Sequence, residues 1–348
     1  MKATGTALVY VPAPAHTQRH HPENHTRIEG LLRLFEREGL LGDLRWLDAR
    51  PASSSILERA HTRGLLEDIR QACLRGATRI DADTYVTPES YERARLAAGG
   101  CCDLVEAVLE GTVRNGLAVV RPPGHHAGRD RVGGFCLINN IAVAARRAQL
   151  AEGVDRIMIL DFDVHHGNGT QDIFYNESGV LFASLHLFHP FFYPGSGAAD
   201  EIGRGSGKGL TLNVPFPPGV GDSGYGEALT RLVIPRAKAY MPNLILVSAG
   251  FDAHWRDPLA RALLSLRGYA EICRQLISLS DELCDGRIVF VLEGGYDRQA
   301  LQYGLLNVAY SLVGQDSVRD PLGPALEGSR DVTNLLASLE KLHLLNQA

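Results

Sequence analysis

The chain has 348 residues, 45% hydrophobic and 22% charged, with a formal net charge of −5 at pH 7. That balance is ordinary for a folded globular protein and excludes a disordered, collagen-like or low-complexity chain. The acidic charge and a pI near 6.2 argue against a Lys/Arg face for phosphates, so no nucleic-acid partner is expected.

The N-terminal stretch MKATGTALVYVPAPAH holds an apolar run too short for a secretory segment, and no later stretch reaches transmembrane length. A cytoplasmic protein without a membrane partner is therefore expected. Short apolar, β-rich runs alternate with helical patterns from there on. In chain order the pattern predicts a strand at 7–11, helices at 24–39 and 89–110, a strand at 117–120, a helix at 138–150 and strands at 156–160 and 180–184. It continues with a strand at 210–214, a helix at 224–240, a strand at 243–248, a helix at 266–283, a strand at 287–292 and a helix at 297–313. Irregular Pro/Gly-rich loops are expected at 121–134, 188–208 and 215–224. The alternation predicts an α/β fold, a three-layer α/β/α arrangement with a mostly parallel central sheet. No linker or repeat interrupts it, so one domain is expected over residues 1–348. The six cysteines, at 73, 101, 102, 136, 273 and 284, lack CxxC spacing and read as reduced core residues.

Five of the strands run into titratable residues: RPPGHH, DFDVHH, LH, AGFD and EGGY. Ligands of open α/β sheets bind outside the carboxyl ends of the strands, so these scattered loops should converge. Each piece alone has a bland reading, an aspartate as a helix cap or a histidine as a satisfied core group, but the coincidence across five loops reads as an active site. In DFDVHHGNGT, Asp161, Asp163 and His165 alternate and share one face if the extended conformation persists. Two carboxylates and an imidazole are metal-ligand chemistry, with Asp252 of SAGFDAH as the further candidate. The set suits zinc, and equally Fe(II), Mn(II) or Co(II). Two carboxylates neutralise most of the ion's charge, so a separate base is needed, and His125 and His126 of RPPGHHAG supply it. Asp161, where not a ligand, can fix the tautomer of one imidazole, and Asn168 that of the other more weakly. Tyr296 follows two glycines that let its phenol approach a developing oxyanion.

RPPGHHA, GGFCLINN, DFDVHHGNGT, SLHLFHPFFYPGSG, SAGFDAHWRDPL and LEGGYD, in this order, resemble the zinc-dependent histone deacetylase family, of the arginase/deacetylase fold. HPENHTR at 21–27 and the Asn of HHGNGT look like the class II branch and its bacterial relatives. The resemblance implies one catalytic Zn2+ on Asp163, His165 and Asp252, with His125 and His126 as the tandem histidines. Tyr296 would be the oxyanion donor, and Asp161 would orient His125. It also implies an acyl-lysine tunnel built from Gly134, Phe135 and Tyr193, the last commonly Phe in the family. A structural K+ would use main-chain oxygens of Asp161, Asp163 and His165 with Ser184 and Leu185, and Arg27 matches an arginine behind the site. The implied activity is removal of acetyl or other short acyl groups from lysine-type amines, with an acylated lysine or small acylated amine as substrate. Leu259, seven residues after Asp252, stands where a polyamine enzyme of the family would carry an acidic gatekeeper. Acetylpolyamine amidohydrolase, a catalytically silent acyl-lysine binder and a dimetal ureohydrolase-like enzyme are the competing readings, and the chain is compatible with a homo-oligomer.

Overall fold

The computed structural model describes residues 4–189 and 191–344. Eight strands form one sheet: β1 (Thr6–Val11), β2 (Leu44–Trp46), β3 (Asn115–Val120), β4 (Ile157–Asp161), β5 (Val180–Leu187), β6 (Thr211–Phe216), β7 (Leu244–Ala249) and β8 (Ile288–Leu292). Their order is β2-β1-β3-β8-β7-β4-β5-β6, and every neighbouring pair is parallel. Parallel strands covered by helices on both faces read as continuous apolar runs, which is why ILDF-type and LILVS-type stretches form them. Successive residues then serve opposite faces. Leu244 and Leu246 pack into the core on one side, while Ile245 and Val247 join the core on the other. The fold is thus of the α/β class expected from the sequence.

All seven predicted strands are present, with ends shifted by a few residues. The eighth, β2, escapes the pattern because it is three residues long, with Arg45 and Trp46 exposed. The run expected to be one helix at 24–39 is instead a 3-10 turn, His25–Arg27, followed by a helix at Leu31–Arg37. Gly30, at φ +86°, breaks the ladder between them, a conformation that costs glycine little. The expected 224–240 helix carries a π turn, Leu229–Val233, ending two residues before Pro235, which cannot donate to the regular ladder. Helices at Ser54–Ala60, Arg63–Leu74, Asn168–Phe174 and Thr333–Leu344 add to those the pattern predicts. All six cysteines are free and buried. Among the described residues, no helix is long and apolar enough to cross a membrane.

Because every strand runs the same way, all carboxyl ends open on one edge. The five strands whose loops carry titratable motifs, β3, β8, β7, β4 and β5, are consecutive in the sheet. With roughly 4.8 Å between neighbouring strands, groups from the ends of the middle three already lie within coordination reach of a common point.

Candidate metal centre

The end of β4 delivers Asp161 and Asp163, both fully buried, with His165 just beyond. Asp252 follows β7 and is likewise fully buried. Ligand atoms of Asp163, His165 and Asp252 lie within 4.8 Å of one another. Main-chain donors aim the carboxylates: Gly294 N donates to Asp163 Oδ2 at 2.8 Å, His165 N to Asp163 Oδ1 at 2.9 Å and Val164 N to Asp252 Oδ1 at 2.8 Å. Gly294 is required here, since a Cβ would collide with both the Asp252 and Asp163 carboxylates. His165 Nδ1 lies 3.1 Å from Asp163 Oδ1 and 3.2 Å from Asp252 Oδ2. The second contact meets the ion-pair distance without hydrogen-bond geometry, and Asp252 Oδ2 has no hydrogen-bond donor. Burial disfavours charge on His165, yet its hydrogen bond to Asp163 and the adjacent Asp252 carboxylate raise its pKa to about 10. Two buried carboxylates that hold a positive charge on an imidazole, one with an unmatched oxygen, form a place suited to a cation. The N/O donor set fits zinc or a similar divalent ion.

The tandem histidines follow β3 in a loop held against the Asn168–Phe174 helix, where Gly169 N and Thr170 N donate to His125 O at 3.0 and 3.1 Å. Their rings lie 4.0 Å apart. His125 Nδ1 donates to Asp161 Oδ2 at 2.9 Å, and His126 Nδ1 donates to Asn168 Oδ1 at 2.7 Å. Burial lowers the pKa of both rings, but for His125 the Asp161 and Asp163 carboxylates prevail and hold it well above the ordinary imidazole range. For His126, burial together with the positive charges of His125 and His165 holds it well below. Burial of Asp161 outweighs its bond to His125 and raises it to about 6.

Beyond β8, Gly295 at φ +115° turns the chain so that Tyr296 faces the same cavity. Its phenol is pushed well above its usual pKa by burial. The Arg27 guanidinium lies 4.9 Å over its ring and donates to Gly295 O at 2.8 Å and Glu293 O at 2.7 Å. The cavity, about 320 Å3, is lined by His125, His126, His165, Tyr296, Gly134, Phe135, Tyr193 and Leu259. Larger depressions of about 500, 570 and 550 Å3 lie elsewhere, and none holds the tandem histidines. Gly134 at φ +52° and Phe135 at φ +69° make the tight turn that brings the Phe135 ring edge-on to Tyr296 at 5.9 Å. Leu259 stands at the mouth, 40% exposed, and Phe191, which also lines the cavity, is 96% exposed. Ser184 is the register partner of Asp161, and Leu185 pairs with Val214, both buried next to the β4 end.

Several further residues build the site, most of them without a local sequence signal. Asp83 lines the cavity and accepts from Gly134 N at 3.2 Å. Phe192 stacks on His165 with ring centroids 4.9 Å apart. His21 supports Phe135 edge-on at 4.7 Å, and Asp257 Oδ2 accepts from Tyr296 N at 2.7 Å. Asp83 follows no predicted strand, so only the fold brings it in. Asp257 was signalled by its place in the AGFDAHWRD loop.

The fold and the donor trio define an α/β protein with a candidate metal centre at the carboxyl edge of a parallel sheet. A family model of the histone deacetylase domain matches residues 21–312. The chain is 39% identical over 306 residues to a probable deacetylase of Archaeoglobus fulgidus, covering 86% of this chain and 84% of that one. It is also 39% identical over 317 residues to a histone deacetylase-like amidohydrolase of Pseudomonas aeruginosa, covering 91% of this chain and 82% of that one. A solved crystal structure of the HDA15 HD domain superposes with a TM-score of 0.89 at 35% identity, covering 99% of this chain and 95% of that one. The chain belongs to the histone deacetylase family.

Proposed function

We propose that the protein is a zinc-dependent amidohydrolase that removes acetyl or other short acyl groups from lysine-type amines. The observation that carries this reading is the convergence of His165 of the donor trio, both tandem histidines and Tyr296 on one narrow cavity walled by Phe135 and Tyr193.

Zinc on Asp163, His165 and Asp252 would supply Lewis acidity, polarising the amide carbonyl and acidifying water. The chain's own side chains do the rest. His126 donates from Nδ1 to Asn168, which leaves Nε2 as its basic nitrogen, and its environment keeps the ring neutral. It therefore takes the proton of the attacking water and passes it to the departing amine. His125, tied to Asp161, stays positively charged and steadies the negative charge that develops on the substrate. The two rings are in contact and titrate as a pair. Tyr296 keeps its proton and donates it in a hydrogen bond to the oxyanion. Phe135 and Tyr193 flank the aliphatic stem of the substrate, and Gly134 leaves room for His126, which a Cβ there would strike. A K+ ion on the main-chain oxygens of Asp161, Asp163 and His165 with Ser184 and Leu185 would brace the β4 end.

Leu259 at the mouth favours a neutral acyl-lysine stem over a polycation. Asp83, an acidic residue lining the same cavity, favours the second reading, an acetylpolyamine amidohydrolase. Turnover of an acetyl-lysine peptide and of N-acetylputrescine by the zinc-loaded protein separates the two. We expect the peptide to be preferred. A strong preference for the diamine overturns the lysine assignment, and no hydrolysis of any acylated amine would leave a silent binder.

A further inference from the structure

Glu293 is the first residue after β8 and is fully buried. Its Oε2 accepts from Gly124 N at 2.7 Å and from His125 N at 3.1 Å, while Oε1 accepts from the Ser248 hydroxyl at 3.1 Å. Its backbone is equally engaged, with its N–H donating to Ala249 O at 3.0 Å and its carbonyl accepting from Arg27 Nη2 at 2.7 Å. Burying a carboxylate is costly, and packing alone would be served by an apolar side chain of the same size. This one spends its oxygens on the amides of the loop that carries the tandem histidines. His125 is consequently pinned from both sides, its carbonyl by Gly169 and Thr170 and its N–H by Glu293.

We infer that Glu293 is a positioning residue: its carboxylate locks the Gly124–His125 backbone to the ends of β7 and β8, and so fixes the tandem histidines against Asp252 and Tyr296. The three loops leave different strands and share no covalent connection shorter than the elements between them. Glu293 is the side chain that joins them, because its own loop continues into Tyr296, Ser248 lies on the strand leading to Asp252, and its amide partners precede the imidazoles. The kinetic consequence rests on the hydrolase reading above, whereas the structural consequence does not.

Glu293→Gln and Glu293→Ala separate this role from others. A glutamine keeps one carbonyl oxygen for both loop amides, and its NH2 can donate to the Ser248 hydroxyl, so the clamp survives without the charge. Alanine removes every acceptor. In hydrogen exchange of the full chain, the segment 121–128 should exchange at least about tenfold faster in Glu293→Ala than in wild type and stay near wild type in Glu293→Gln. With the acetyl-lysine peptide, kcat should fall by about 100-fold in Glu293→Ala, with KM within about threefold of wild type, and Glu293→Gln should restore most of it. Wild-type exchange in Glu293→Ala overturns the inference. So does a glutamine variant whose loop is protected but whose kcat is lost, because the charge and not the placement would then matter. If the wild-type protein hydrolyses no amide, the hydrolase reading fails while the exchange experiment still decides the clamp.

Discussion

Asn168→Asp places a carboxylate oxygen where an amide oxygen now accepts from His126 Nδ1 at 2.7 Å. The neighbouring ring displays the consequence in the same molecule. Burial lowers both imidazoles, but His125, on a carboxylate at 2.9 Å, is held well above the ordinary range, and His126, on an amide, well below it. A charged acceptor roughly doubles the strength of a hydrogen bond, from about 1 to about 2–3 kcal/mol. The variant therefore stabilises imidazolium at His126 by about 1–2 kcal/mol, and about 1.4 kcal/mol corresponds to one pH unit. A general base works when neutral and is switched off as pH falls through its pKa. Raising that pKa carries the acidic limb of kcat/KM upward by about one pH unit, so activity falls on that limb while the plateau above it is unchanged. The assay is the kcat/KM profile of metal-saturated wild type and Asn168→Asp on one acetyl-lysine peptide. An acidic limb that stays in place, or moves to lower pH, refutes the assignment of His126 as the base.

The buried Glu23 offers a stability test away from the metal site. Burial opposes its ionisation, but Arg121, in contact through Nε and through Nη2 at 2.8 Å, lowers its pKa to about 2. A carboxyl depressed in the folded state stabilises fully above its ordinary pKa of about 4.5 and loses that contribution as pH falls toward about 2, here about 3 kcal/mol. Urea titrations should show wild type losing this between pH 5 and pH 2 and Glu23→Gln losing much less, and equal losses would contradict it. Chelation should abolish hydrolysis and lower Tm, with zinc at 100 times its Kd returning about 2.7 kcal/mol of stability. In Asp252→Ala the zinc-dependent Tm shift should disappear; a full shift there would remove Asp252 from the ligand set. Leu259→Glu should raise the kcat/KM of N-acetylputrescine relative to the peptide about fivefold, the value of an exposed charge pair of about 1 kcal/mol. An unchanged ratio would show that the mouth residue does not select.

The core of the fold and the candidate centre were legible because both are written in short-range patterns. Strands buried on two faces show as apolar runs, and the residues just past them, Asp163, His165, Asp252 and Tyr296, announce themselves by polarity at a strand end. The same logic failed for β2, where three residues at a sheet edge carry too little apolar signal. It failed at 24–39 because a helical period persists through Gly30 although the backbone there is left-handed. Asp83 and His21 were out of reach for another reason. Neither lies at a predicted strand end, and their roles, accepting from Gly134 and supporting the Phe135 ring, depend on contacts between segments more than fifty residues apart. Glu293 stood in a quoted motif, yet nothing local reveals that its partners are the amides of Gly124 and His125.

The residues proposed to react descend from strand termini, while Phe191, Phe192 and Tyr193, which line the same cavity, come from the loop at 191–204. Backbone at the strand termini is held by ladder bonds to neighbours on either side, whereas a surface loop tolerates insertion and exchange. Relatives could therefore diversify in the acylated molecules they admit by rewriting that loop alone, with bond cleavage left untouched. Grafting such a loop between two members should transfer preference without rebuilding the machinery beneath it.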